Sequence, residues 1–358
     1  MALPNDIRRL LVVLPTWVGD CVMATPLLRA LRSSLPDTEI VGFGPRATAR
    51  ILNGLPFLDR LRTRRPGDSL VEQAARLRTA QFDASILLPG SFKAALLARL
   101  AGVPRRIGYA RDGRGWLLTD RLRPPTVGRW PRRRWAVTPT RDYYLRLLDP
   151  LGLTAANSQL ELAVTPAERG RAESVLASAG IANRPFVLLN PGANYGAAKL
   201  WPPTHFAALA DRLAAECGLA IAISVAPKER AIAGEIVAAA KSPIADLSAH
   251  GLTLGAVKEL CHRADLVVTN DTGTRHVAVA MGTRVVTLFG PTDERWTTLD
   301  YAREIELSAA VPCRPCQQKT CPLPPPLTKR CMIELTPDNA FAACERLLGT
   351  AVPLRVAS

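Results

Sequence analysis

Leu10-Leu11-Val12-Val13-Leu14-Pro15-Thr16-Trp17-Val18-Gly19-Asp20 is the stretch on which the fold reading turns. Five apolar residues in a row, too few for a helix core, read as a strand buried on both faces. Pro15 and Gly19 close it with a turn. Thr25–Leu35 follows with helical spacing and stops at Pro36, and Glu39–Phe43 is a second strand. Strand, helix, strand is the unit of a parallel sheet covered on both sides.

The same alternation continues outward. Ser69–Ala80 reads as a helix, Ala84–Leu88 as a strand, Phe92–Leu100 as a helix closed by Gly102, and Arg106–Tyr109 as a short strand. Pro124–Pro139 is a Pro- and Arg-rich loop, Arg141–Leu151 is helical, and Leu160–Val164 with Pro166 reads as a connection. Then the pattern restarts: strand Phe186–Leu189, helix Pro203–Cys217, strand Leu219–Val225, helices Lys228–Ala240 and Leu254–Arg263, strands Leu266–Thr269 and Val285–Phe289 flanking helix Arg275–Met281. A Cys- and Pro-rich loop, 312–331, precedes a last helix near Pro337–Leu348. The expectation is an α/β protein of two Rossmann-like domains with parallel sheets. They would span 1–165 and 166–335, and the segment 336–358, a C-terminal helix and tail, is open to a return to the first. Ligands of such sheets bind beyond the carboxyl ends of the strands, so a cleft between two facing domains is the expected site.

Composition agrees. A chain of 358 residues with 48% hydrophobic and 22% charged residues is long enough for two cores. A net charge of +15 points to polyanionic partners, phosphorylated ligands or an anionic membrane face. No run reaches the roughly 18 apolar residues of a membrane span. The apolar stretch inside Met1–Asp20 is too short for a secretion signal and lacks a small-residue cleavage site. The expected location is cytoplasmic, with the eight cysteines reduced or metal-bound rather than paired. Aromatics at 5% are too sparse for the stacking platforms of a nucleic-acid binder.

Several segments carry possible chemistry. Asp20 stands where a site should open, either as a general base or as the cap of the next helix. Asn190-Pro191-Gly192-Ala193-Asn194-Tyr195-Gly196-Ala197-Ala198-Lys199-Leu200-Trp201-Pro202 is Gly-bearing and lacks the Walker pattern; its Lys199 is a point charge for phosphate, unless the loop is a plain surface turn. Asn270-Asp271-Thr272-Gly273-Thr274-Arg275-His276 leads into a helix whose first N–H groups could hold a diphosphate, or is a simple N-cap beside a packed histidine. Gly290-Pro291-Thr292 suggests a second loop at that edge. Lys93, Arg105, Arg106, Arg111, Arg114, Arg121, Arg123, Arg132, Arg133 and Arg134 form a polyanion face if they converge, and scattered solvated charge if they do not. Cys313, Cys316, Cys321 and Cys331 resemble a zinc-ribbon set, although the spacing of the second pair departs from it, and free thiols remain the alternative. Cys21, Cys217, Cys261 and Cys344 read as small core residues.

In this order, Pro15–Asp20, Leu88–Lys93 with Arg106–Tyr109 and Arg114–Leu118, Pro191–Pro202, and Asn270–His276 resemble the lipopolysaccharide heptosyltransferases, glycosyltransferase family 9, over Leu11 to about Leu347. The Trp17–Asp20 and Arg106–Leu118 segments favour its type II branch. That resemblance implies a GT-B fold, with an acceptor-binding first domain and an ADP-heptose-binding second domain. It further implies an inverting transfer of L-glycero-D-manno-heptose to the first heptose of the inner core on heptosyl-Kdo2-lipid A. By the same resemblance Asp20 is the general base and Lys199 holds the leaving phosphate. Gly192, Lys199, Asp271, Thr272, Gly273 and His276 bind the donor. The loop Val225–Arg230 departs from the family pattern, with Glu229 expected to reach the donor ribose, and Lys93, Arg106, Arg111 and Arg114 are read as acceptor-binding from their place in the region that meets the acceptor. No cofactor and no catalytic metal are required; a structural zinc on the Cys loop stays a secondary option. The expected partner is the lipopolysaccharide core at the cytoplasmic face of the inner membrane, met by a peripheral and monomeric enzyme. Alternatives are a type I or III acceptor, or a nucleotide-sugar binder with no catalysis.

Overall fold

The computed structural model describes residues 7–128 and 134–349. Two compact units emerge, one running to Leu162 and including Arg295–Leu299, the other comprising Ala163–Glu294 and the chain from Asp300.

In the first unit the strands are β1 (Arg9–Val13), β2 (Glu39–Gly44), β3 (Arg60–Thr63), β4 (Ala84–Leu87), β5 (Arg105–Tyr109) and β6 (Asp120–Leu122). They pair in the order β3-β2-β1-β4-β5-β6, all parallel. Leu10 to Leu14 are completely buried, so this run is the spine of the sheet and β1 lies at its centre. β7 (Thr126–Val127) and β8 (Arg134–Trp135) form a small antiparallel ribbon apart from the sheet. The helices are α1 (Val18–Met23), α2 (Thr25–Ser34), α3 (Arg46–Ile51), α4 (Leu70–Arg78), α5 (Phe92–Leu100) and α6 (Thr140–Leu145). Ser69 and Glu72 close a capping box on α4, which fixes where that helix begins.

The second unit repeats the plan. α7 (Pro166–Ser178) leads into β9 (Phe186–Asn190), and α8 (Pro203–Cys217), β10 (Ala220–Ile223), α9 (Arg230–Ala239) and β11 (Ile244–Asp246) follow. α10 (Leu254–Arg263), β12 (Leu266–Asn270), α11 (Gly273–Ala280), β13 (Val285–Phe289) and β14 (Glu304–Ser308) complete the sheet, and α12 (Arg330–Ile333) and α13 (Pro337–Gly349) end the described chain. The order β11-β10-β9-β12-β13-β14 is again wholly parallel. In both sheets the strand order reverses at one point, between β1 and β4 and between β9 and β12. Such crevices at the carboxyl ends are where α/β sheets take ligands.

Two connections differ from the sequence expectation. Pro166 is not a linker but the first residue of α7, capped by Thr165 with Glu168; proline suits that position because its missing N–H would be unpaired anyway. Nor does α13 join the first unit. Ala340, Phe341, Ala343, Cys344 and Leu347 are buried in the second core with Trp201, Phe206 and Leu213, because that helix presents one continuous apolar face. The return to the first unit is made by Arg295–Leu299: Thr140 Oγ1 donates to the Trp296 carbonyl at 3.0 Å and Arg141 to that of Leu299 at 2.7 Å. The tail of the expected 336–358 segment, beyond residue 349, lies outside the described residues.

Candidate active site

At the switch point of the first sheet, Leu14 N–H still donates to the Phe43 carbonyl at 2.8 Å. The chain then leaves the sheet through Pro15 and enters α1 with Trp17 at its N-cap. Asp20 is therefore not the cap. It sits in the first turn, half-buried, with Ala24 N–H bonded to its carbonyl. A carboxylate there lies on the positive end of the turn's aligned peptides. The groups beside it stay neutral: burial, reinforced by the charge of Asp20, pushes the Cys21 thiol and the Tyr144 phenol well up. Asp20 is thus the carboxylate that β1 and α1 place at the carboxyl edge of the sheet.

The basic residues of this unit divide sharply. Arg114 is fully buried, donating to the Tyr109 carbonyl at 2.9 Å and to those of Pro89 and Ser91 at 2.6 and 3.0 Å. Burial draws its pKa down to about 10, which still leaves it charged. Arg106 spends its donors on the carbonyls of Leu117, Val103 and Pro104. These two brace the loops after β4 and β5, Arg106 turned to three carbonyls and Arg114 buried on three others with its Nη2 left unpaired. Arg105 pairs with Asp120 at 2.9 Å, and Arg121 donates to the Leu118 carbonyl at 3.3 Å. Lys93, Arg123 and Arg134 are exposed, and Arg111 lies half-buried over the Trp135 ring. Arg132 and Arg133 lie outside the described residues.

At the switch point of the second sheet, two asparagines at strand ends stitch the loops together. Asn190, ending β9, donates to the Ser224 carbonyl at 2.6 Å and accepts from Thr272 Oγ1 at 3.3 Å. Asn270, ending β12, donates to the carbonyls of Pro191 and Gly192 at 2.7 and 3.3 Å. Against this scaffold Lys199 Nζ meets Asp271 Oδ2 at 2.5 Å and its carbonyl at 3.1 Å. Thr292 Oγ1 donates to the same carboxylate at 2.8 Å, which brings in the Gly290-Pro291-Thr292 loop. Burial alone would raise the Asp271 carboxyl, but the Lys199 ammonium beside it holds it below the usual range. The pair is enclosed, so removing one member leaves a costly buried charge.

Thr272 is the N-cap of α11 and Gly273 its first residue. Thr272 makes no cap bond, because its hydroxyl faces Asn190, so the first N–H groups of the helix keep their capacity for an anion. His276, one turn in, is 3% exposed, with no protein partner at Nδ1. Burial, aided by the neighbouring Arg275 charge, lowers its pKa to about 3, so it is neutral at physiological pH. Lys199, Asp271, Thr272, Gly273 and His276 therefore come together as the sequence expected.

Glu229 belongs to the same scaffold in a different role. Its carboxylate accepts from Ala193 N–H at 2.9 Å and Ala226 N–H at 3.1 Å. A Cβ on Gly192 would collide with that carboxylate, so Gly192 is what lets the two loops close up. Arg275 points the other way, fully buried on Glu304 and Glu306.

Several residues of this region were not legible from the sequence. The Cys/Pro-rich loop backs the Lys199 loop: Ala198 N–H donates to the Lys319 carbonyl at 3.0 Å, and Tyr195 Oη to that of Gln317 at 2.7 Å. Both Lys199 and Lys319 lie over the Tyr195 ring, at 4.7 and 5.7 Å. Arg314 fastens the same loop to the Gly290 and Thr292 carbonyls and to Glu294. The only signal was proximity to a Pro-rich stretch, which names no partner. Cys313 is exposed, Cys316 and Cys321 half-buried and Cys331 buried. Among the described residues no group of three or more His, Cys, Asp or Glu side chains is arranged to hold a metal ion. Cys21, Cys261 and Cys344 are buried and Cys217 partly so.

Residues 71–326 match the sequence profile of glycosyltransferase family 9 (heptosyltransferase). The chain is 29% identical over 308 residues to lipopolysaccharide heptosyltransferase 2 of Escherichia coli strain K12, covering 81% of this chain and 84% of the relative. It is similar to the crystal structure of a family 9 glycosyl transferase from Veillonella parvula, with a TM-score of 0.80, 21% identity and coverage of 97% and 99% of the two chains. The structure of E. coli ADP-heptose lps heptosyltransferase II gives a TM-score of 0.72 and 24% identity, covering 95% of this chain and 98% of the other. The fold is GT-B, with two Rossmann-like units.

Proposed function

Since the chain belongs to glycosyltransferase family 9, the heptosyltransferases, we propose that it moves L-glycero-D-manno-heptose from ADP-heptose to the first heptose of the lipopolysaccharide inner core. The observation that carries the donor side is the buried Lys199–Asp271 pair beside the uncapped start of α11. The type II acceptor rests on the heptosyltransferase 2 relatives.

The diphosphate lies on the α11 N–H groups, with Lys199 sharing its ammonium between Asp271 and the phosphate. Neutral His276 adds a hydrogen bond without adding charge. Glu229, committed to the backbone of the two loops, shapes the ribose side. Substrate binding excludes water and holds the acceptor hydroxyl at the anomeric carbon. Asp20 takes its proton as the new C–O bond forms. The bond from the anomeric carbon to the phosphate oxygen breaks, and ADP leaves with the electron pair. Attack from the face opposite the leaving group inverts the anomeric centre in one displacement. A positioned base contributes about 10²–10⁴-fold, and a preorganised cation where charge develops is worth a comparable amount. Lys93, exposed, and Arg111, half-buried, meet acceptor phosphate. The enzyme works as a peripheral monomer at the cytoplasmic face of the inner membrane.

Turnover with ADP-heptose and two acceptors tests this reading. Heptosyl-Kdo2-lipid A should be used and Kdo2-lipid A should not. The opposite preference would make the protein a type I enzyme, and ADP-heptose binding with no turnover on any core acceptor would make it a binder.

A further inference from the structure

The first unit presents large apolar side chains to solvent in a group. Phe92, opening α5, and Trp116, in the turn after β5, are 40% and 62% exposed with ring centroids 6.1 Å apart. Trp135 on β8 is 48% exposed and carries the Arg111 guanidinium 5.1 Å above its ring. Arg111 joins the two places, because its side chain fills the space a Cβ on Gly90 would need, two residues before Phe92. Val127, paired with Arg134 across the small ribbon, and Val137 are exposed beside them. Monomeric soluble proteins seldom gather such residues at the surface without a partner.

Charge says what the partner is. Residues 1–162 hold 26 Lys and Arg against 13 Asp and Glu, whereas the remaining 196 residues hold 20 against 18. Nearly all the positive excess therefore falls on the unit with the aromatic group, and Lys93, Arg123 and Arg134 stand exposed around it. Of the nearby acids, Asp120 is paired with Arg105, and Asp112 lies 3.5 Å from Arg111.

We propose that this aromatic and cationic face docks the protein on an anionic lipid bilayer. Amphipathic rings settle at the headgroup level, and basic side chains around them are drawn to an anionic leaflet within a Debye length. The face lies beyond the carboxyl ends of β4 and β5, on the sheet edge that carries Asp20 beyond β1. A lipid-borne hydroxyl is thereby brought to the edge where the base stands. The relevance of docking to catalysis rests on the heptosyltransferase reading above; the docking itself does not.

The test is co-sedimentation of the full chain with vesicles of phosphatidylethanolamine and phosphatidylglycerol, compared with pure phosphatidylcholine. Binding is expected to the anionic vesicles and to weaken as salt rises. Phe92→Ser with Trp116→Ser should reduce it at least about tenfold, and Arg123→Gln with Arg134→Gln should do so mainly at low salt. Should the serine pair fail to fold, quenching of tryptophan fluorescence by brominated lipid, diminished in Trp116→Phe, reports the same insertion. Undiminished binding of the folded variants, undiminished quenching in Trp116→Phe, or equal binding to phosphatidylcholine overturns the proposal. So does lipid-free self-association that the serine pair abolishes, since the occupant would then be a second copy. Both variants should turn over a deacylated, water-soluble acceptor like the unmodified protein. If the unmodified protein binds anionic vesicles but uses no acceptor, the functional reading fails and the docking stands.

Discussion

The loops that leave β1 and β9 occupy equivalent places in two sheets of identical order, yet they carry opposite chemistry. After β1 the chain turns within a few residues and sets a half-buried carboxylate, Asp20, in the first turn of a short helix. After β9 it wanders through 191–202, buries an ammonium on Asp271, and leans on a Pro-rich loop from the far end of the chain. Topology decides where a site opens; loop length and the burial of its charges decide what the site does. On this account one unit takes a proton and the other stabilises a leaving anion.

Lys199→Ala should break this contrast most severely. It removes the cation and strands Asp271 in a buried pocket, so stability should fall by about 3–5 kcal/mol and turnover by at least about 10³-fold, measured by thermal unfolding and single-turnover rates. Asp20→Asn should cost about 10²–10⁴-fold in turnover with an almost unchanged melting temperature, because the amide keeps the size of that half-buried side chain. Near-normal rates would remove Asp20 from the mechanism.

Histidine sharpens the comparison through pH. His276 is neutral when folded, with its pKa near 3, and near 6.5 when unfolded. The unfolded chain therefore binds the extra proton, so this contribution is complete above about pH 6.5 and is lost as pH falls toward 3. The slope is up to about 1.4 kcal/mol per pH unit. His276→Gln should flatten urea-unfolding stability over that range; an unchanged slope would mean the imidazole is not held neutral. Asp271 works lower, since its depressed carboxyl loses its contribution only as pH drops below the ordinary carboxylate range. Glu229→Gln should have the smallest effect, about 1–2 kcal/mol of stability from weakened bonds to two backbone N–H groups, with KM for the donor rising more than kcat falls. A kcat loss as large as that of Asp20→Asn would place Glu229 in the chemistry.

Central strands were legible because their residues are apolar throughout: Leu10–Leu14, Phe186–Leu189, Leu266–Thr269 and Val285–Phe289 needed only composition and length. Edge strands were not. β3 carries Arg60 and Arg62, β6 carries Asp120 and Arg121, and β14 alternates Glu304, Ile305 and Glu306, so none shows an apolar run. Pro166 read as a linker because a proline marks a helix start only when the Thr165–Glu168 box is read with it. Within the site, residue type and sheet position singled out Asp20, Lys199 and Asp271, and the structure brings the last two into contact. They did not foretell that Arg106 and Arg114 turn inward to carbonyls; no spacing rule distinguishes a basic side chain that faces solvent from one that braces a loop. Tyr195 and Lys319 depend on contacts across more than a hundred residues, which sequence distance conceals, and Arg314 on a loop that the sequence reading left apart from its own.

The most direct test of the divided labour is calorimetric titration of ADP-heptose into Asp20→Asn and Lys199→Ala, each first shown to be folded. The account predicts that Asp20→Asn binds within about twofold of the unmodified protein while Lys199→Ala binds at least about tenfold more weakly. Equal weakening in both, or none in Lys199→Ala, would contradict it.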